Sequence, residues 1–405
     1  MATETVEIEG HIIDSLLLAK VLDVILASGA DYEMVDVAIG RTNTDASRAR
    51  LVINADTDDA LDALLAELQI HGANRVDAGE IEVVAAVRDG VFPPGFYSTT
   101  NLPTQVRIGG HWIDVKNPEM DCGVVVRDEQ VVLTIPLHRV RAGDQIIVGH
   151  EGIRVSAPAR PRGSTPFEFM NSDVSSEKPK GLLVAKVAER VRAARERGGR
   201  VLVVAGPAVV HTGASPALAR LVREGWVNVL FAGNGFATHD IESNVMGTSL
   251  GVSVREGTAA EGGHSNHLRV INEVRRYGSI AAAVEAGYID GGTMYECIRH
   301  DVPFVLAGSL RDDGPLPDVI PNVIEAADAM RDHIPGVEVA LMVASTLHAI
   351  ATGNILPAGV ETFCVDINQS VVTKLADRGS HQALGIVTDA GLFLSGLADH
   401  LCTNP

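Results

Sequence analysis

The sequence predicts an α/β protein whose carboxyl-terminal half is a doubly wound parallel sheet, and three observations predict it. Residues 201–204 (VLVV) and 229–232 (VLFA) are short, uncharged, valine-rich runs that each lead into a glycine, which suits strands buried on both faces. Further runs of this kind follow at residues 304–307, 339–343, 362–366 and 384–387, several of them separated by helical spacing. The first hundred residues read instead as strand, helix, strand, strand, helix, strand. Together these give a ferredoxin-like N-terminal domain and a small β domain, followed by a Rossmann-like sheet of roughly six strands.

Element by element, residues 5–10 form the first strand. Residues 12–28 carry Ile13, Leu16, Leu17, Val21, Leu22 and Ile25 at helical spacing and stop at Gly29. Residues 32–39 and 49–54 alternate as strands, 61–68 is helical and 79–87 is extended. That order is the split βαβ arrangement. From residue 105 to 155, short alternating segments such as VRIGGHWIDV and DQIIVGHEGIRV imply a small antiparallel barrel or sandwich. Residues 157–180 are rich in Pro, Ser and charge and read as a linker. A helix starts near Leu182, and others cover 266–276 and 279–286. The expected domains are 1–104, 105–156, the linker 157–180, and 181–405.

A chain of 405 residues, 46% hydrophobic, can bury a large core. Its net charge of -19 argues against nucleic acid or an anionic membrane as partner. The arginine-rich stretch 189–200 mixes both signs, as a solvated helix face does. The opening MATETVEIEG lacks the features of a signal peptide and no run is long enough to span a bilayer, so a cytoplasmic protein is expected. Cys122, Cys297, Cys364 and Cys402 are far apart, which favours free thiols over disulfides or a zinc site.

Chemistry concentrates at the strand ends. Residues 233–238 (GNGFAT) are expected to form a tight turn before a helix beginning near Thr238, with Asp240 and Glu242 in its first turn and bare N–H groups facing phosphate. The segments 308–313, 345–348, 366–368 and 388–391 fall on the same edge of a parallel sheet. Asp366 is the best candidate for a ribose contact, although Ser345, Asp366 and Asp389 can each serve as helix caps. His264 and His267 invite a metal reading, but only Glu261 stands near as a further ligand, so no metal is expected. A substrate-facing turn that enters a helix at Asn266 is favoured there. Residues 291–297 can start a helix that carries Glu296 and Cys297 toward the cleft, or Cys297 can be a small core residue. Glu119 and Asp121, beside Cys122, suit an ammonium group or a plain acidic turn.

Several longer motifs carry a family resemblance. GHIIDSLLLAKVLDVILASGADYE resembles the domain named for lysine-ketoglutarate reductase/saccharopine dehydrogenase proteins. FPPGFYSTTNLPT, PEMDCGVVV, FAGNGFATHDIE, GGHSNHLRVINEVRRYGSI, STLHAIATGNILP and CVDINQSVVTKLADRG resemble the archaeal-type ornithine cyclodeaminases, and also the carboxyl-terminal part of cyanobacterial arginine dihydrolase/ornithine cyclodeaminase proteins. The arginine dihydrolase module of the latter would precede Met1, so arginine hydrolysis is not expected.

The resemblance implies conversion of L-ornithine to L-proline and ammonia on an NAD that is regenerated in each turnover. It implies nucleotide contacts at Asn234, Gly235, Ala237, Arg311, Asp312, Ser345, Thr346, Leu347, His348, Asp366, Asn368, Asp389 and Ala390. A distant likeness to deoxyhypusine synthase supports amine oxidation only by analogy. Glu119, Asp121, His264, Asn266 and Cys297 are the candidates for the chemistry, with the identity of the base left open. Another diamino acid or a polyamine as substrate, or a non-catalytic NAD or amino-acid sensor, are the alternatives. Exposed sheet edges in the first two domains lead us to expect a homodimer or homotetramer.

Overall fold

The computed structural model describes residues 2–13, 17–42, 45–128, 131–156, 174–175, 180–250, 252–253, 265–310, 312, 314–378 and 383–402. The chain divides into two units. Unit 1 takes Met1–Asn171 together with Asn354–Gly359, and unit 2 takes Ser172–Gly353 and Val360–Pro405.

Unit 1 opens with β1 (Ala2–Gly10), α1 (Leu17–Ala27), β2 (Asp31–Ala38), β3 (Ser47–Ala55), α2 (Asp58–Ile70) and β4 (Ala73–Arg75). The sheet order β2-β3-β1-β4 is ferredoxin-like. Alternation in β3 turns Ala49, Leu51 and Ile53 inward, where they meet Val21 and Ile25 of α1 and Leu61, Leu64, Leu65 and Leu68 of α2. Thr57 caps α2 by accepting from the Ala60 N–H, with Asp58 and Asp59 in the first turn. The fourth strand differs from the sequence expectation. It is the three-residue β4, while Glu82–Ala85 leaves for the next layer as β5 and pairs with β10 (Gln145–Val148).

That next layer also holds β6 (Thr104–Ile108), β7 (His111–Asp114), β8 (Gly123–Asp128), β9 (Val131–Ile135) and β11 (Ile153–Val155). Two antiparallel sheets, β5-β10-β8-β9 and β11-β6-β7, give the small β region anticipated from the alternation. Tyr97, Val106, Val124, Ile147 and Ile153 form a core that Ala358 joins from the late segment 354–359. Backbone bonds hold that segment in place: the Ala358 N–H donates to the Asn101 carbonyl and the Met120 N–H to the Asn354 carbonyl.

Unit 2 runs β12 (Val174–Ser175), α3 (Lys180–Glu196), β13 (Arg200–Ala205), α4 (Ala208–His211), α5 (Ser215–Arg223), β14 (Val229–Gly233) and α6 (Asn234–Val245). A small hairpin of β15 (Thr248–Ser249) and β16 (Val252–Ser253) precedes α7 (Asn266–Tyr277), α8 (Ile280–Glu285) and α9 (Thr293–Arg299). Then come β17 (Phe304–Ala307), β18 (Val319–Ile320), α10 (Val323–Asp332), β19 (Val337–Val343), α11 (Leu347–Ile355), β20 (Glu361–Asp366), α12 (Gln369–Arg378), β21 (Ala383–Val387) and α13 (Ala390–Leu401). The sheet has eight parallel strands in the order β12-β21-β20-β19-β13-β14-β17-β18, two more than expected because β12 and β18 are two-residue strands with no hydrophobic run to mark them. The valine-rich β13 is sealed on both faces, with residues 201–205 at most 2% exposed.

Chain order reverses between β13 and β19, which makes the sheet doubly wound and Rossmann-like. Among the described residues, no helix is long and apolar enough to cross a membrane.

The two strands separate at Gly206, where an added Cβ would overlap the Ala344 carbonyl oxygen. Gly206→Ala is therefore expected to destabilise unit 2 by about 1–3 kcal/mol through forced displacement of packed backbone. Gly353, in α11 with nothing near its Cβ position, should tolerate the same change or gain about 0.4–1 kcal/mol. Urea midpoints that fail to separate the two variants would contradict the close approach.

Candidate functional site

The switch point builds one end of the site from backbone. Gly206 follows β13, and opposite it Ala344 takes a left-handed φ of 49° as the chain leaves β19. A Cβ on Gly233, at the end of β14, would stand 2.7 Å from Cε1 of His348 and 3.5 Å from the Ala307 carbonyl oxygen. Because β19 and β14 flank β13, His348 reaches across the end of β13. Burial lowers the His348 pKa from its ordinary value, with Asp312 pulling the other way, so the ring is neutral at neutral pH.

The expected turn at 233–237 is a helix instead. Gly233 is the N-cap of α6 and Asn234, Gly235 and Ala237 lie in its first turns, so the helix begins four residues earlier than anticipated. Asn234 is buried, and its Oδ1 accepts from the Leu316 N–H at 3.0 Å and from the Thr238 hydroxyl. That side chain anchors the segment before β18, which leaves backbone N–H groups as what α6 offers at this edge.

The remaining strand-end residues line the same carboxyl edge. Asp312 closes a turn by accepting from the N–H and hydroxyl of Ser309, Ser345 is buried, Thr346 is exposed, and Leu347 opens α11 at 78% exposure. Asp366 accepts from the Asn368 N–H through Oδ1 at 2.8 Å, and Asn368 accepts in turn from the Ser370 N–H. Asp389 caps α13, whose first residue is Ala390, by accepting from the Leu392 N–H. Both aspartates thus perform the capping and turn work weighed against ligand contact, through one carboxylate oxygen each. Beside them the Thr388 hydroxyl is buried without a hydrogen-bond partner among the described residues. An orphan hydroxyl and two carboxylates, each with one oxygen beyond its capping bond, fit a nucleotide cofactor. Arg311 lies outside the described residues.

Further from the strands, α6 carries a buried polar network that the sequence reading did not anticipate. Asp240 and Glu242 were expected in the first turn of a helix beginning near Thr238; both lie well inside α6 and are fully buried. Asp240 accepts from the Ser215 hydroxyl and from the N–H groups of Thr293 and Met294, and so satisfies the start of α9. Gly292 is required there, since a Cβ would press on Asn244 and Asp240. Burial raises the Asp240 pKa, against the pull of those hydrogen bonds.

Glu242 takes His239 Nδ1 at 2.8 Å and the Thr248 hydroxyl at 2.8 Å, and Asn266 donates to that same hydroxyl at 2.9 Å. The His211 ring lies edge-on to His239 with centroids 4.9 Å apart, its Nδ1 2.7 Å from the Ser249 hydroxyl. The pattern His239-x-x-Glu242, one helical turn apart, was the available signal.

Other candidates fall elsewhere. Cys297 is 1% exposed and burial pushes its thiol pKa far up, so it is a protonated core residue and does not face a cleft. Glu296 is held by Arg223 and His300. Glu119 and Asp121 belong to unit 1. Glu119 is buried, its carbonyl accepts from the Thr99 hydroxyl, and Asp121 adopts φ 60° on an exposed turn. His264 lies outside the described residues. Among the described residues no group of three or more His, Cys, Asp or Glu is placed to hold a metal ion.

The reversed strand order and the polar strand ends define a Rossmann-fold protein of the kind that takes its ligand at the carboxyl edge of the sheet. Family comparison matches residues 185–397 to the "Arginine dihydrolase ArgZ-like, C-terminal, Rossmann fold" family, residues 103–184 to its "first region", and residues 3–102 to the "LOR/SDH bifunctional enzyme conserved region". The chain belongs to the archaeal-type ornithine cyclodeaminase family. It is 50% identical to a protein of Methanopyrus kandleri named ornithine cyclodeaminase, over 98% of this chain and 97% of that one. Cyanobacterial ArgZ, solved without ligand, is 38% identical with a TM-score of 0.85, over 99% of this chain and 58% of ArgZ. AgrE, solved in a ternary complex with ornithine and NAD+, is 43% identical with a TM-score of 0.54, over 99% of this chain and 57% of AgrE.

The His348 environment is directly measurable. Its ring should titrate below the ordinary 6.5 in a pH series of imidazole NMR spectra. Since the unfolded chain then binds the proton first, this group's contribution to stability is lost as pH falls from the ordinary histidine range through the lowered value. A midpoint at or above 6.5 would contradict the buried placement.

Proposed function

We propose that the protein is a cytoplasmic NAD-dependent ornithine cyclodeaminase that converts L-ornithine to L-proline and ammonia. The observation that carries this reading is the switch-point edge, on a chain 50% identical along nearly its full length to a relative named for that reaction. Four buried free thiols suit the reducing cytoplasm.

When bound, NAD supplies a hydride acceptor for the substrate α-carbon and afterwards the donor that reduces the cyclic imine. The chain's own residues do the rest. Backbone N–H groups in the first turn of α6, which includes Asn234, Gly235 and Ala237, face the diphosphate. The free oxygen of Asp366 accepts from a ribose hydroxyl, and Asp389, Ala390 and Thr388 border the same ligand. Ser345, Thr346, Leu347 and His348 cover the switch point and keep water from the imine. Arg311, Asp312 and Asn368 complete the proposed cofactor set. Glu119 and Asp121 remain candidates for the substrate's ammonium groups.

Asp366→Ala should weaken NAD binding by about 1.5–3 kcal/mol, the worth of a hydrogen bond to a charged group. An unchanged dissociation constant in calorimetric titration would remove Asp366 from the site.

The reaction is redox-neutral, because ornithine and the pair proline plus ammonia stand at the same oxidation level. With ornithine deuterated at the α-carbon and substoichiometric unlabelled NAD, label should be retained at the proline α-carbon with no lasting NADH absorbance. NADH that grows in step with ornithine loss would point to a dehydrogenase for another chemistry. Binding of both ligands without product would point to a sensor.

We further infer a homodimer or homotetramer. Support comes from β2, an edge strand that leaves Met34, Val35 and Val37 exposed at 39–56%. Light scattering that reports only monomer at micromolar protein would contradict this.

A further inference from the structure

We propose that His211 and His239 are the paired proton-transfer groups of this site, with Glu242 and Ser249 as the residues that orient them. The inference rests on the ornithine reading above and assigns the acid and base work that reading leaves open.

The location follows from topology. α5 and α9 lead into the starts of β14 and β17, so their first residues, Ser215 and Thr293, lie at the carboxyl level of the sheet. Asp240 of α6 bonds both residues, so the middle of α6 is also at that level and does not run down the sheet face. A Cβ on Gly235 would sit 3.3 Å from Cγ of Pro207, and His239 and His211 each follow four residues later. Four helical residues rise about 6 Å. The imidazole pair therefore stands about one turn beyond the glycines that bound the switch point.

The geometry is that of an oriented base. Each ring has one nitrogen fixed, His239 Nδ1 by Glu242 and His211 Nδ1 by Ser249. No described residue takes the Nε2 of either ring. Glu242 is itself held by Thr248, and Thr248 by Asn266, so a chain of bonds from α7 through the hairpin to α6 sets the His239 ring plane. His211 is exposed, whereas His239 is 9% exposed, so the pair links solvent to a buried carboxylate. Among the described residues, the ionisable groups facing the pair are Glu242 on α6 and His267 on α7, whose ring centroid is 6.3 Å from that of His239. Burial first, then His239, lowers the His211 pKa, while Glu242 opposes them.

The proposed chemistry needs two such groups. The substrate α-ammonium must lose a proton before its carbon can yield a hydride, and the δ-ammonium must lose one before its nitrogen can attack the α-carbon. One neutral imidazole nitrogen accepts each proton. After the attack the δ-nitrogen passes a second proton to the α-nitrogen. The bond from the α-carbon to the α-nitrogen then breaks, its electron pair leaves with ammonia, which takes up a proton from one imidazolium, and the δ-nitrogen lone pair closes the cyclic imine. The ring nitrogen is reprotonated after reduction. Over the whole conversion one proton moves from the δ-nitrogen to the α-nitrogen, which departs as ammonium, and both imidazoles end neutral as they began.

The test uses the full chain with NAD and ornithine and compares His239→Gln, His211→Asn and His211→Ala with the unmodified protein. A lost acid–base group typically lowers kcat by 10²–10⁴-fold. We expect losses in that range with NAD affinity and melting temperature unchanged. Added imidazole should restore His211→Ala in a dose-dependent way, because the ring it replaces is exposed. The acid limb of the pH–kcat profile should also move in His239→Gln, as the His211 midpoint rises without its neighbour. Turnover within a few-fold of the unmodified protein on an unchanged pH profile overturns the proposal. So does a loss that imidazole does not restore and that brings weaker NAD binding with it. Unmodified protein that makes no proline from ornithine overturns the functional reading, and this inference with it.

Discussion

The feature on which unit 2 depends is the passage of the chain past itself at the switch point. β13 and β19 lie side by side in register from Val201 with Val339 to Ala205 with Val343, and then part. The parting is possible only because Gly206 has no side chain to strike the Ala344 carbonyl and Ala344 accepts a left-handed φ. Once the strands separate, α4 can lie beside the start of α6, and His348 can cross to Gly233. A parallel sheet buried on both faces has few other places to admit a ligand, so the crowding of backbone here and the concentration of polar residues have one cause.

The sequence disclosed most of this architecture, and its failures have a common origin. Runs such as VLVV and VLFA are legible because burial on both faces leaves no polar position to confuse the period. The start of α6 was misjudged since glycines at 233 and 235 read as a turn. What decides it is a bond from Asn234 to the Leu316 N–H, a contact between residues 82 apart that no local pattern encodes. The fourth strand of the ferredoxin-like sheet was misplaced for a similar reason. Residues 82–85 have strand character, but the partner that claims them is β10 and not β1.

Site residues divide along the same line. Residues at strand ends could be placed on one edge because topology alone carries them there. The α6 network was missed because Asp240 and Glu242 read as first-turn acids of a helix starting near Thr238, whereas tertiary packing buries both among helices and the hairpin. Cys297, which the sequence left open between the cleft and the core, is a small core residue whose surroundings keep it protonated.

The segment 354–359 sets the order of events during synthesis. Domains generally fold from the N-terminus as the chain emerges, but the core of unit 1 includes Ala358, and Asn101 accepts from its N–H. The first unit therefore lacks a piece until translation has passed Gly359, by which point β13, β14 and β19 already exist. A nascent chain halted before that residue holds an incomplete sandwich.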